Sequence, residues 1–301
     1  MGTLMPFMGR IGELEGKRAI ITGASRGLGA AIADALWQYG ADVLLVARSK
    51  ANLRELGNRL LASRKGAQSV HLFAADLREP NTPQGIFSEA RRIWPRIDVL
   101  VNNAGIIGPI GTLADNDWGE WRDALQLNLL APAALCRLAI DWMRTDGGGG
   151  SIINLSGGGA TSPRPRFSAY ATAKCGLVRF SETIATEVAD LGIRVNCVAP
   201  GAMNTEMLQA ILRAGADRVG RDEFDKIVKM IAAGATDPRI AAELVVYLAT
   251  EKSAGVTGKL ISAVWDPWRN LHEHIDDLRT TDIYTLRRIV PNDRGKEWAN
   301  G

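Results

Sequence analysis

The stretch ITGASRGLG, residues 21–29, lies between an apolar run, RAIIT at 18–22, and a segment of helical spacing, GLGAAIADALWQYG at 27–40. Glycines at Gly23, Gly27 and Gly29 let the chain turn tightly, let its backbone come close to a pyrophosphate, and let the helix pack against the strand. The helix N-terminus then turns its unpaired N–H groups toward the phosphates. A strand, turn and helix of this composition predict a dinucleotide site that uses Gly23, Ser25, Arg26, Gly27, Leu28 and Gly29.

Further along, short apolar runs recur at DVLLVAR (42–48), SVHLFAAD (69–76), IDVLVNNA (97–104), SIINLS (151–156), IRVNCVAP (193–200) and KLISAVW (259–265). Each is nearly continuous in apolar character, as strands covered on both faces of a parallel sheet are. Longer stretches of helical spacing separate them. The alternation predicts an α/β protein with a Rossmann-type, doubly wound, seven-stranded parallel sheet and helices on both faces. Residues 1–265 are expected to form one dinucleotide-binding and catalytic domain. Residues 201–236, which leave a strand as a long, partly helical insertion, are expected to form a substrate loop. Residues 266–301 form a charged tail, expected to pack on the domain or on a partner subunit.

Composition limits the alternatives. The chain has 301 residues with 36 Lys and Arg against 33 Asp and Glu, a formal charge of +3, and no separate basic block. That balance argues against a dedicated nucleic-acid surface. The three cysteines, Cys136, Cys175 and Cys197, have no metal-ligand spacing and read as reduced, mostly buried thiols, with Cys175 packed on its helix. His71, His272 and His274 do not form a ligand set, so no metal is expected. The N-terminus has neither a signal-peptide pattern nor an anchor, and no stretch approaches the roughly 18 to 20 apolar residues of a spanning helix. These features place the protein in the cytoplasm, with no membrane partner.

Five further features follow in order: AADL with Asp76, NNAG at 102–105, Asn128 within a long helical segment, YATAK with Tyr170 and Lys174, and APGAMNT at 199–205. Together with the spacing Thr22-Gly23-x-x-x-Gly27-x-Gly29, they resemble the short-chain dehydrogenase/reductase family, and the resemblance runs to about residue 260. It implies an oxidoreductase that interconverts a small-molecule carbonyl and a secondary alcohol by hydride transfer to or from a nicotinamide cofactor. Tyr170 would pass a proton to or from the substrate oxygen, Lys174 would hold the nicotinamide ribose, and Asn128 would anchor a relay water. Asp76 and Leu77 would flank the adenine, Asn103, Ala104 and Gly105 would line the cofactor, and Pro200, Gly201 and Thr205 would hold the nicotinamide. A homodimer or homotetramer paired through the two long helices of Asn128 and Tyr170 is also implied.

Residue chemistry adds detail. Tyr170 and Lys174 are four apart on a helix and so share a face. A phenol with a reference pKa near 10 is a poor base at neutral pH, and a neighbouring ammonium is expected to lower it. An NAD site usually ends the second strand in an acid, whereas this strand ends in Arg48 and Ser49, with Arg26 in the glycine loop as a second cation. Arg suits a 2′-phosphate because its planar fork bonds two oxygens at once. NADP(H) is therefore favoured over NAD(H).

Two departures from the family pattern stand out. The carbonyl-orienting serine usually falls thirteen residues before the tyrosine, and here that position is Gly157. Ser156, turned away if the strand stays regular, is the first substitute. Thr161, Ser162 or a backbone N–H of the glycine run are others. A catalytically weakened, dinucleotide-binding regulatory protein is the alternative function. The chain also lacks the usual Asp-Gly-Gly turn after its last strand and continues into a segment with Trp265, Trp268 and Trp298, whose aromatic surface argues for packing. Ser168 reads as the N-cap of the Tyr170 helix.

Overall fold

The computed structural model describes residues 12–232 and 234–298. The expectation about the extreme N-terminus, residues 1–11, lies outside them, as do position 233 of the substrate loop and the last three residues of the tail.

Seven strands form one parallel sheet: β1 (Arg18–Thr22), β2 (Asp42–Ala47), β3 (Val70–Ala74), β4 (Val99–Asn102), β5 (Gly150–Leu155), β6 (Ile193–Ala199) and β7 (Leu260–Ser262). Their order is β3-β2-β1-β4-β5-β6-β7. The winding reverses between β1 and β4, and the carboxyl ends of the strands open a crevice there, where α/β sheets bind ligands. The continuous apolar runs are explained by burial on both sides: Ala19, Ile20 and Ile21 of β1 and Val43 to Val46 of β2 are fully buried.

Helices cover both faces. On one, α1 (Gly27–Gln38), α2 (Lys50–Ala62) and α9 (Pro238–Ala249) pack Ile32, Leu36, Leu53, Leu56 and Val245 onto Ile21 and Val101. On the other, α3 (Thr82–Ile93), α5 (Ala131–Thr145) and α6 (Ser168–Glu187) pack Phe87, Leu135 and Ile184 onto Ile20 and Leu100. A short helix, α4 (Trp118–Leu125), runs into α5 through a π-helical turn at Gln126–Leu130. The joined stretch Trp118–Thr145 is long and apolar enough to cross a membrane by length and composition. It corrects the expectation that no stretch approaches that limit, and the reason is that Leu135, Ala139 and Met143 of α5 are core residues.

After β6 the chain forms α7 (Glu206–Val219) and α8 (Arg221–Ala232) before returning through α9 to β7. The tail then covers the β7 edge. Leu260 N–H donates to the carbonyl of Tyr284 at 2.8 Å, and Lys259 Nζ reaches the carbonyl of Ile283 at 2.9 Å. Satisfying the edge in this way removes a template for strand pairing. Of the three late tryptophans, only Trp268 is buried, at 1% exposure, with its indole N–H on the Ala263 carbonyl and its ring beside Tyr247. Trp265 is 84% exposed, so aromatic content overstated how much of this segment packs.

Candidate active site

The glycine loop is held by its own backbone and by β4. An added Cβ at Gly29 would stand 2.2 Å from the Gly23 carbonyl oxygen, so no other residue fits there without moving the turn. Thr22 Oγ1 accepts from the N–H groups of Asn103 and Ala104 at 3.0 and 3.1 Å, while Asn103 Nδ2 donates to the carbonyls of Thr22 and Gly23. Thr22, absent from the expected site residues, thus ties β1 to the NNAG segment. The first turn of α1 has no side-chain cap and no acidic residue. Its free N–H groups and positive dipole end fit an anionic pyrophosphate.

Beyond β2, Arg48 is exposed and has no ion pair among the described residues. Ser49 caps α2 by accepting from Asn52 N–H. Asp76 accepts a forked pair of bonds from Arg78, at 3.1 Å from Nε and 2.6 Å from Nη2, and this partner holds its carboxyl below the usual range. Leu77 is buried beside it. Arg26 does not stand free: it pairs with Glu206 at the start of α7. A phosphate at Arg26 would therefore compete with that carboxylate.

At the centre, Tyr170 and Lys174 lie buried on one face of α6. Lys174 Nζ donates to the Leu155 carbonyl at 2.7 Å and lies 5.7 Å from the centre of the Tyr170 ring. Burial lowers the Lys174 ammonium to about 8. The phenol differs from expectation. Burial pushes Tyr170 above its ordinary value, and the charge opposing that rise is Arg164, not Lys174. Asn128 lies in the π-helical turn, a local widening that recurs at functional sites. Its amide is committed to Ile106, accepting from the N–H at 3.0 Å and donating to the carbonyl at 2.8 Å. A Cβ at Gly105 would sit 2.8 Å from Asn128 Oδ1 and 3.7 Å from Lys174 Nζ, so the NNAG segment, the π turn and α6 converge.

Gly157 meets Tyr170 directly. A Cβ there would be 2.2 Å from the Tyr170 hydroxyl oxygen, so the phenol occupies the space a serine would need. Ser156 continues the ladder, its N–H on the Val198 carbonyl at 2.8 Å. By strand alternation its side chain goes with that of Asn154, whose Nδ2 bonds Ser181 of α6. Its hydroxyl is buried with no hydrogen-bond partner among the described residues. Thr161 and Ser162 are exposed. Ser168 is the first residue of α6 rather than its cap, because its hydroxyl accepts from Trp121 Nε1 at 3.1 Å. Cys175 is exposed, correcting its reading as a packed thiol, whereas burial raises Cys136 and Cys197 to about 12.

The substrate side is closed by α7 and α8. Pro200 and Gly201 leave β6, and Thr205, the extended residue before α7, lies close to the glycine loop: a Cβ at Gly27 would be 3.8 Å from its Cγ2. Leu208, Ile211, Val219 and Ile227 pack with Ile107, Ile110, Phe167 and Tyr170 in one apolar cluster. Two arginines absent from the expected site residues, each following a proline in residues 163–166, fasten this cover. Arg164 pairs with Glu223 of α8 at 2.9 Å. Arg166, at φ 68°, donates to the Asp217 carbonyl near the end of α7 at 2.8 Å, and its own carbonyl accepts from Gly111 N–H. A bulky residue in the left-handed region is a strained choice that such contacts sustain.

Known proteins share this fold. Residues 17–215 match the model of the short chain dehydrogenase family. The chain is similar to 3beta-hydroxysteroid dehydrogenase 1 of Eggerthella lenta, 34% identical over 247 residues, which is 82% of this chain and 91% of that protein. Carveol dehydrogenase of Mycobacterium avium, solved with NAD, superposes with a TM-score of 0.74 at 25% identity, over 83% of this chain and 97% of that one. A Beutenbergia cavernae protein provisionally named an NAD(P)-dependent gluconate 5-dehydrogenase, with NADP at low occupancy, gives 0.73 at 30% identity, over 86% and 97%. The chain belongs to the short-chain dehydrogenase/reductase family. It is an oxidoreductase of the class that acts on alcohol and carbonyl groups with a nicotinamide dinucleotide.

Proposed function

We propose that the protein is an NADP(H)-preferring reductase of apolar ketones, or the matching secondary-alcohol dehydrogenase, in which Tyr170 exchanges the proton at the substrate oxygen. The observation that carries this reading is the apolar cluster around Tyr170, in which Ile107, Ile110, Phe167, Leu208 and Ile211 surround a single buried phenol. Such a wall favours a hydrocarbon-rich substrate, and the hydroxysteroid and carveol named for two similar proteins are of that kind.

The dinucleotide supplies or accepts the hydride. In this reading the loop from Gly23 through Ser25, Arg26, Gly27, Leu28 and Gly29 holds its pyrophosphate, with Arg48 and Ser49 at the 2′-phosphate. Asp76 and Leu77 flank the adenine, and Asn103, Ala104 and Gly105 form the wall. Lys174 holds the nicotinamide ribose, and Pro200, Gly201 and Thr205 hold the ring. The support for NADP(H) is an exposed, unpaired Arg48 where an NAD site would place an acid.

For the chemistry, a phenol held above its ordinary pKa is protonated at neutral pH and is ready to give a proton during ketone reduction. Because the Asn128 amide is spent on Ile106, its part in the relay is to fix the π turn, leaving water binding to the turn's backbone. Positioning beside a buried apolar cluster does the rest. We also propose a cytoplasmic homo-oligomer joined along α5 and α6, with Leu130 of the π turn before α5 exposed.

The test offers the purified protein NADPH and NADH with a panel of cyclic and steroid ketones and follows loss of reduced-cofactor absorbance. Turnover of apolar ketones with a preference for NADPH is expected. Cofactor binding without oxidation on any ketone would sink the proposal. Light scattering that finds a monomer would refute the oligomer.

A further inference from the structure

The family pattern leaves one task at this site without a side chain. With the Tyr170 hydroxyl 2.2 Å from where a Cβ at Gly157 would stand, no hydroxyl can be hung from that position beside the phenol. Ser156 lies on the Asn154 side of the strand with its hydroxyl buried and unpartnered among the described residues, and Thr161 and Ser162 face solvent.

Arg164 is differently placed. Its side chain is only 18% exposed, and its guanidinium carbon stacks 4.1 Å from the centre of the buried Phe167 ring. Phe167 precedes α6 by one residue, so the platform under Arg164 is fixed to the helix that carries Tyr170. Nε donates to Glu223 Oε1 at 2.9 Å, and Nη2 forms an ion pair with the same oxygen at 2.9 Å. Nη1 has no hydrogen bond among the described residues and lies 3.6 Å from the position a Cβ would take at Gly158. The unused donor therefore lies against the glycine run that replaces the serine.

We infer that Arg164 is a catalytic residue that takes over the orienting of the substrate carbonyl, using the N–H groups of Nη1, with Glu223 of α8 as its positioning partner. This rests on the reading that Tyr170 works on a carbonyl oxygen. Three points of chemistry fit. The carboxylate of Glu223 already balances the guanidinium charge, so the remaining donors suit a neutral acceptor such as a ketone. A charged donor makes a hydrogen bond roughly twice as strong as a neutral hydroxyl does. The same cation opposes the burial that raises the Tyr170 phenol, with Lys174 the other cation near the ring. Because Glu223 belongs to the helical cover, the aim of the donor depends on that cover.

The experiment compares Arg164→Gln, Arg164→Lys, Glu223→Gln and Ser156→Ala with the wild type on a ketone that the wild type reduces. It measures kcat, KM, NADPH affinity by fluorescence, thermal midpoint and the pH profile of alcohol oxidation. Arg164→Gln should lower kcat/KM about 100-fold, the usual loss for one oxyanion donor, with NADPH affinity unchanged. It should also move the rising, acid-side limb of alcohol oxidation to higher pH, because that direction needs the phenolate and a cation that favours it is gone. Arg164→Lys should restore part of the rate, Glu223→Gln should lower kcat more mildly, and Ser156→Ala should cost less than Arg164→Gln.

Wild-type rate and pH profile in Arg164→Gln would overturn the inference, as would a loss of NADPH affinity and thermal midpoint with no pH shift. A 100-fold loss in Ser156→Ala would assign the task to Ser156 instead. Should Arg164→Gln fail to fold, Glu223→Ala decides, since it keeps the cation and removes its aim: a lower kcat at unchanged NADPH affinity supports the role, and an unchanged kcat ends it. A wild type that binds NADPH but reduces no ketone would refute the functional reading itself, a result distinct from any of these.

Discussion

The two halves of the crevice are built from different materials. On the cofactor side, contacts are made by backbone and by near neighbours in the sheet: Gly29 against the Gly23 carbonyl, and Asn103 and Ala104 on the Thr22 hydroxyl. On the substrate side, contacts are made by long charged side chains reaching between distant elements, Arg164 to Glu223 and Arg166 to the end of α7. Backbone contacts require glycine or a small polar residue at fixed spacing. Side-chain clamps require only charge complementarity between loops free to vary. The first half therefore rests on backbone geometry that the turn itself requires, and the second on side chains that loops are free to change.

The strongest way to break this division is to remove the group where the halves meet. Tyr170→Phe deletes one oxygen from a buried site and leaves the glycine loop untouched. Turnover should fall about 1,000-fold, within the usual range for a general acid or base, while NADPH affinity stays at the wild-type value. Parallel loss of both would show that the phenol supports the cofactor side as well, and the division would fail.

Restoring the family's serine comes next in size. Gly157→Ser would place a Cβ 2.2 Å from the Tyr170 hydroxyl, so either the phenol or the strand end must shift. A displacement on the order of 1 Å at a reacting group can cost about 100-fold in rate. The variant should therefore be slower than the wild type, with overpacking costing about 1 to 3 kcal/mol of stability in thermal or urea unfolding. A faster enzyme would mean that Tyr170 has room to retreat and that the glycine is a loss rather than a fit.

This contrast also explains what could be read from the sequence. The seven strands, their covering helices and the glycine loop were legible because burial on both faces and close backbone approach leave local, periodic marks. Tyr170 and Lys174 were legible because four-residue spacing on a helix is also local. The Arg164–Glu223 pair spans 59 residues, and neither residue has a pattern around it; the only trace was a pair of arginines beside prolines in the run before the helix. Ser168 misled because its hydroxyl went to Trp121, a partner 47 residues away. The phenol's pKa was misjudged for a related reason. The spacing to Lys174 was visible, but the burial that raises the phenol exists only in the folded site, where the opposing charge is Arg164.

On the cofactor side the expected effects are smaller, because many backbone bonds share the load. Arg48→Ala should weaken NADPH binding about 10-fold, near the lower end of what a charge-assisted hydrogen bond contributes, and should leave NADH binding unchanged. Isothermal titration with the two cofactors measures the difference. Equal weakening of both would show that Arg48 stabilises the fold of the loop instead of reading the 2′-phosphate. Arg26→Ala sharpens the same point: because Arg26 is already paired with Glu206, its loss should affect the cover over the substrate more than cofactor choice.

The mildest effect belongs to Lys174, where the halves share a residue. Its ammonium is lowered to about 8 by burial, below its ordinary value near 10.4. The folded protein therefore carries this charge below about pH 8 and loses it above, while the unfolded chain stays charged for about two more pH units. Stability attributable to this group is lowest where both states are charged and increases as pH rises from about 8 toward 10. Cofactor affinity should move the opposite way. A charged donor contributes about 1 kcal/mol more than a neutral one, so NADPH binding should weaken about 5-fold across the same interval. Measuring the dissociation constant and the thermal midpoint together over that range checks both signs. If the two change in the same direction, titration of Lys174 is not what governs them.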